Sequence, residues 1–305
     1  MVSATGGHDV PSKQLDDVRA WQAKFGEANA AMAPEGVEAM RKLNHEWMTG
    51  RGEVPGDVRI ARVELGGVPC EHLTVSGDSG PTFLFFHSGG FLLGSPEDDR
   101  EWLARLVRLT GGEVFAPAYR LAPENAWPAQ RNDALAVYRV LARTEDSRSN
   151  LIIMGESAGG FLAAKLIQAI AAERSEMPAA VVLLSPMLDL KLEGSTLDTV
   201  GDPFVVRPVL EMMIGAFLQG GDPGTETGLV SSMPSYPPTL IQVGTADSLL
   251  DDSRRFARTA RDQEVDVTLE TYDGCLHLWH GFPNLPESHS AIESIAKFAK
   301  RQARN

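Results

Sequence analysis

The feature that most constrains this chain is a rhythm of short apolar runs and longer helical stretches. The runs cover residues 82–86, 114–118, 151–154, 180–184, 239–243 and 267–271. Stretches of helical periodicity lie between them at 98–109, 128–141, 158–172 and 251–262. A strand that is apolar at every position has no face for water, so both of its faces must be covered. Amphipathic helices between such strands supply the cover, which predicts a mostly parallel sheet with helices on both faces. Two earlier segments, 58–65 and 68–75, flank Gly66-Gly67, a dipeptide suited to a hairpin turn. The expectation is an α/β fold with a mixed sheet of about eight strands.

Two parts of the chain break the rhythm. In residues 12–49 the pattern is helical. Ser12 stands where an N-cap belongs, with Leu15, Val18, Trp21 and Phe25 at spacings of three and four. A second helix is expected after Pro34, carrying Val37, Met40, Leu43 and Trp47. Residues 191–235 are too long for a strand-to-helix turn and contain an apolar helical patch at 209–218. Both parts are read as a helical cap. The division is then 1–50 as N-terminal cap, 51–190 as the first part of the core, 191–235 as cap insertion and 236–305 as the second part of the core. The first ten residues, small and polar, are expected to be loose.

Charge and cysteine usage narrow the function. A formal net charge of −13 offers no positive field to nucleic acid or to an anionic membrane. No stretch approaches the roughly 18 apolar residues of a membrane span, and no basic start precedes an apolar run. Cys70 and Cys275 lie far apart without metal-ligand spacing and are read as reduced thiols. The expected location is the cytoplasm, with no metal and no cofactor. A homodimer is compatible with the sequence, which does not itself set the oligomeric state.

The chemistry is carried by Gly155-Glu156-Ser157-Ala158-Gly159, which joins the run at 151–154 to a helix. A G-x-S-x-G turn between strand and helix lifts the serine side chain above the sheet. Small residues on either side allow the backbone to approach closely. The N–H of Ala158, at the helix start, points where charge would develop on a carbonyl oxygen. About seventy residues upstream, the strand at 83–86 ends in His87-Ser88-Gly89-Gly90-Phe91, the position of an oxyanion loop in α/β-hydrolases. His87 is read as a structural residue that holds this loop.

These motifs resemble the hormone-sensitive-lipase-like bacterial esterases of the α/β-hydrolase fold, over about residues 70–290. His87-Ser88-Gly89-Gly90 is similar to their HGGG loop, Tyr119-Arg120-Leu121-Ala122-Pro123-Glu124 to YRLAPE, and Gly155-Glu156-Ser157-Ala158-Gly159-Gly160 to GDSAGG. The resemblance implies hydrolysis of short-chain carboxylic esters without a cofactor. It also implies an oxyanion hole from the N–H groups of Gly89, Gly90 and Ala158. Ser88 departs from the family's usual glycine. If residue 88 required a positive φ the serine would be strained, so a negative φ is expected, with the hydroxyl at the edge of the acyl pocket.

Triads on this fold run serine, acid, histidine. Asp247 follows the next-to-last strand and is the expected acid. Asp251 and Asp252 are expected to cap the next helix, and Asp189 follows the wrong strand. After the last strand two histidines compete. His280-Gly281-Phe282 fits a short family pattern. His277 fits the longer one, three residues beyond Gly274, and stays at the strand edge, so it is the expected base. The apolar cap residues Phe204, Met212, Met213 and Phe217 are expected to bind substrate, while Trp21, Phe25 and Trp47 cover the mouth or pack on the core. The same triad would also serve a lactone, carbamate or amide hydrolase. A non-catalytic ligand receptor on the same fold is the third reading.

Overall fold

A computed structural model of the protein describes residues 11–77, 80–222, 228–229 and 236–303. The first ten residues and most of 223–235, the end of the expected insertion, lie outside them. In chain order the elements are α1 (Gln14–Met32), α2 (Val37–Thr49), β1 (Arg59–Leu65), β2 (Val68–Thr74), β3 (Thr82–Phe86), α3 (Arg100–Thr110), β4 (Glu113–Pro117), α4 (Ala129–Leu141), α5 (Glu145–Ser149), β5 (Leu151–Glu156), α6 (Ala158–Ala172), β6 (Ala180–Leu184), α7 (Arg207–Leu218), β7 (Thr239–Gly244), α8 (Leu250–Asp262), β8 (Val267–Tyr272) and α9 (Pro286–Gln302).

The eight strands form one sheet in the order β1-β2-β4-β3-β5-β6-β7-β8. The pairs β1–β2 and β2–β4 are antiparallel, and all others are parallel. Gly66 and Gly67, with φ of 62° and 81°, make the β1–β2 turn that pairs Leu65 with Val68. Two positive φ values are what a tight hairpin needs and what glycine supplies most easily.

The continuous apolar runs have a direct cause. Phe83 and Phe85 of β3, Ile152 and Met154 of β5, and Val182 and Leu184 of β6 face one layer, where Trp102 and Leu106 of α3 and Ile292 and Ile295 of α9 pack. Their neighbours Leu84, Phe86, Leu151, Ile153, Val181 and Leu183 face the other layer, with Val137 of α4, Phe161 and Leu162 of α6 and Phe256 of α8. Alternate side chains serve alternate layers, so the middle positions of these strands are all apolar, and polar residues stand only at their ends, Thr82 on β3 and Glu156 on β5. Each fully buried phenylalanine contributes roughly 1.5–3 kcal/mol relative to exposure.

Helices α1 and α2 dock by aromatic packing and a few directed bonds. Phe25, Met48 and Leu278 form one cluster, with Trp21, Trp47 and Phe204 at its edge. Arg41 of α2 donates to both carboxylate oxygens of Glu124 and to the carbonyls of Leu92 and Ala122. The start of α1 differs from expectation. Lys13 occupies the cap position without a side-chain bond. Ser12 donates its N–H and hydroxyl to Glu287 at 2.7 Å each, because a buried carboxylate is a stronger acceptor than the neutral partners a helix start offers. Among the described residues no helix is long and apolar enough to cross a membrane.

Candidate active site

Parallel strands bring their C-terminal ends to one edge of the sheet, where ligands of open α/β sheets bind. The loops after β3, β5, β7 and β8 meet there.

At the end of β5 the chain turns into α6 through Ser157, with φ 54° and ψ −116°. A non-glycine residue in that region is strained and persists only where its surroundings impose it. The glycines around it explain how. A Cβ on Gly155 would collide with the carbonyl of Gly159, and one on Gly159 with the carbonyl of Phe86. Gly160 has Pro186 against it. The Ser157 N–H donates to Leu184 O at 2.9 Å, anchoring the turn on β6.

The loop after β3 curls over this turn. Gly89 (φ 112°), Gly90 (φ 59°) and Phe91 (φ 68°) are left-handed, and Ser88 is not. The serine at 88 therefore sits in a backbone conformation that suits it. Phe91, which carries the third positive φ, is stacked on Phe217 at 3.8 Å between ring centroids. His87 is buried and donates from Nδ1 to Ser88 O at 2.7 Å, while the hydroxyl of Tyr119 donates to His87 O at 2.9 Å. Burial pushes His87 down to about 4, so it stays neutral as a brace. Within the protein none of the N–H groups of Gly89, Gly90 and Ala158 donates a hydrogen bond among the described residues. Gly90 and Ala158 are buried. Buried N–H groups without partners are rare, and these two, with that of the half-buried Gly89, are free to meet a ligand acceptor.

Beyond β7, Asp247 is fully buried and accepts the Leu249 N–H on Oδ1 at 2.8 Å. Its Oδ2 lies 3.0 Å from Nδ1 of His277. His280 faces elsewhere. Its Nε2 meets Gln242 Oε1 at 3.1 Å, its ring packs on Trp279, and burial pushes it down to about 3. The other acids are occupied. Asp252 accepts the N–H groups of Leu188 and Asp189, and Asp251 that of Ser195. Neither caps α8, because these backbone donors after β6 and near residue 195 claim them first. Asp189 pairs with Arg255 at 2.5 Å.

Ser157 and His277 open into one cavity of about 330 Å³, bounded by α1, α2, α7 and the loop at 88–90. Ser88, Gly89, Gly90, Phe204, Met212 and Met213 all line it. Met213 lies against Gly90 so closely that a Cβ there would strike its sulfur. Met212 stands at the mouth, 42% exposed. Phe217, expected on the cleft, is a correction. It is fully buried and packs between Phe91, Trp127 and Phe161, because its position on α7 faces the core. Trp21, Phe25 and Trp47 form an aromatic cluster behind the cavity rather than its wall.

The fold is shared with known proteins. A family model described as the α/β-hydrolase fold matches residues 83–281. The crystal structure of an esterase from the bacterial hormone-sensitive lipase family superposes with a TM-score of 0.90 at 32% identity, over 97% of this chain and 100% of that one. The chain belongs to that family. It is also similar to an acetyl-hydrolase of Streptomyces hygroscopicus, 32% identical over 88% of this chain and 97% of the relative. An esterase of Acinetobacter venetianus is 32% identical over 79% of this chain and 82% of the relative.

Several residues of the site were not legible beforehand. Met40, Asn44 and Met48 recur every four residues on α2 and share one face of the helix. That face reads as core in the sequence, yet it lines the cavity. Asp202 carried no signal at all. It is buried, accepts the N–H groups of Phe204 and Val205, and is raised to about 6 by burial and by the charge of Asp247. Burial alone would lower His277, but the charge and hydrogen bond of Asp247, with the charges of Asp202 and Glu156 behind them, outweigh it and raise the imidazole. With His277 as the expected base, which must be neutral to act, the acid limb of kcat/KM is expected above the ordinary histidine value of about 6.5. Asp202→Asn removes one of the charges that hold the proton, so the limb should move to lower pH. The pH dependence of kcat/KM with an uncharged ester checks this; a limb that stays or rises contradicts it.

Proposed function

We propose that the protein hydrolyses short-chain carboxylic esters through an acyl-enzyme on Ser157. His277 accepts the Ser157 proton as the hydroxyl attacks the ester carbonyl. Asp247 holds the imidazole by its Nδ1–H and stabilises the cation that forms. The N–H groups of Gly89, Gly90 and Ala158 receive the oxyanion. His277 then protonates the leaving alcohol, and water repeats the sequence to release the acid. The reaction as written uses no cofactor.

One observation carries this reading: a strained serine shares a cavity with His277 and with the loop of Gly89 and Gly90, the N–H groups of Gly89, Gly90 and Ala158 have no partner among the described residues, and Asp247 is bonded to the far side of His277. The wall of that cavity supports a small apolar acyl group. Apart from Glu27 and His277, its lining among the described residues carries no ionisable side chain. Met213 against Gly90 leaves little depth beside the oxyanion loop. The name of the Streptomyces relative, an acetyl-hydrolase, points the same way. In this proposal 1–50 and 191–235 are cap, and 51–190 and 236–305 are core. Cytoplasmic location and a homodimer belong to it as well. Two buried free thiols support the first, and the open edge of β8, whose middle residues are only half-buried, supports the second.

A p-nitrophenyl ester series tests the function. Acetyl to butyryl esters should give the highest kcat/KM, and Met213→Ala should move the optimum to longer chains. If no ester is cleaved above background and a fluorophosphonate leaves Ser157 unlabelled, the receptor reading replaces this one.

A further inference from the structure

Between the end of β8 and Trp279 the chain carries His277 on a loop with two left-handed residues, Gly274 (φ 68°) and Leu278 (φ 59°). A leucine keeps such a φ only where surrounding contacts impose it. Here they come from the N-terminal helices, since Leu278 is clustered with Phe25 of α1 and Met48 of α2. Two carbonyls of the loop also point to α1. Gly274 O accepts from Arg19 Nη2 at 2.8 Å, and His277 O accepts from Gln22 Nε2. The core holds the chain on either side of the histidine: downstream Trp279 packs with Tyr272 and His280 bonds Gln242, and upstream two bonds tie the loop to the end of β7. Gly274 N–H donates to Thr245 Oγ1 at 2.8 Å, and Cys275 O accepts from Ala246 N–H at 3.1 Å.

Gln22 is 1% exposed, and its Oε1 has no partner among the described residues. An amide half-satisfied in an apolar setting is unfavourable. A leucine would fill similar space without that cost, so the bond to His277 is what the glutamine adds. The imidazole is thus fixed at its Nδ1 by Asp247 and at the root of its main chain by α1.

We propose that Gln22 is a positioning residue for His277, so that docking of the N-terminal helix α1 seats the catalytic base. The inference rests on His277 being that base. The test uses Gln22→Leu and Gln22→Glu in the full chain, with kcat, KM, fluorophosphonate labelling rate and unfolding midpoint measured for each. Gln22→Leu should lower kcat by about ten- to a hundredfold, the scale of a displaced catalytic group. KM should change little, and the labelling rate should fall in step with kcat. In Gln22→Glu an ionised carboxylate opposes the His277 carbonyl, whereas the protonated acid can donate to it. Its kcat relative to wild type should therefore rise as pH falls. A folded Gln22→Leu enzyme with kcat close to wild type overturns the proposal. Should that variant not fold, a pH-independent ratio for Gln22→Glu overturns it instead. Retained activity in His277→Ala identifies the base assignment as the failure, whatever Gln22 does.

Discussion

Ser157→Ala is expected to lower ester turnover by a factor on the order of 10⁶, the scale seen when the nucleophile of another serine hydrolase is removed. The rate is expected to be lost because the proposed acyl-enzyme forms on the Ser157 hydroxyl; the proposed oxyanion donors and the apolar wall remain. Stability should change little. Alanine at 157 keeps the same positive φ, and the Ser157 N–H bond to Leu184 O is made by the backbone. Kinetics on p-nitrophenyl butyrate, with thermal unfolding of the same preparation, checks both parts. More than a tenth of wild-type activity in the variant would sink the assignment of the nucleophile.

His277→Ala should cost a comparable factor, because serine and histidine act as one unit in such sites. His280→Ala should keep most of its activity per folded molecule. His280 serves a different set of partners. Its ring bonds Gln242, whose amide also reaches Glu270, Tyr272 and the carbonyl of Ala291. Removing the ring leaves a cavity and an unpaired amide oxygen, so the expected loss is in unfolding midpoint, from a penalty of about 1–3 kcal/mol for the orphaned group. The reverse ranking in purified, folded variants would exchange the two roles.

The two histidines show how far a pattern can reach. His277 and His280 lie three residues apart, and a short motif favours the second. The position of each relative to the strand end separates them, because the residue nearer Gly274 stays level with the other strand ends. That argument needs only chain geometry, and the structure brings Asp247 to His277. Phe217 shows the opposite case. Phe204, Met212, Met213 and Phe217 read alike as apolar residues of one insertion. Which side of α7 faces the cavity and which the core depends on how the helix is laid down against Phe91 and Phe161.

By itself the sequence determined the layered sheet, the hairpin at Gly66-Gly67 and the turn at Ser157. Each is set by residues within a few positions of one another. A strand buried on both faces admits a polar side chain only where packing supplies it a partner, as for Gln242, and a sharp turn excludes a Cβ wherever backbones touch. The tertiary structure alone decided the partners of buried polar groups. Ser12 left the cap of α1 for Glu287, and Asp252 turned to the backbone at 188–189. Gln22 found the carbonyl of His277 across 255 residues. A buried donor or acceptor must be satisfied by whatever group packing brings within reach, and that group need not be near in the chain.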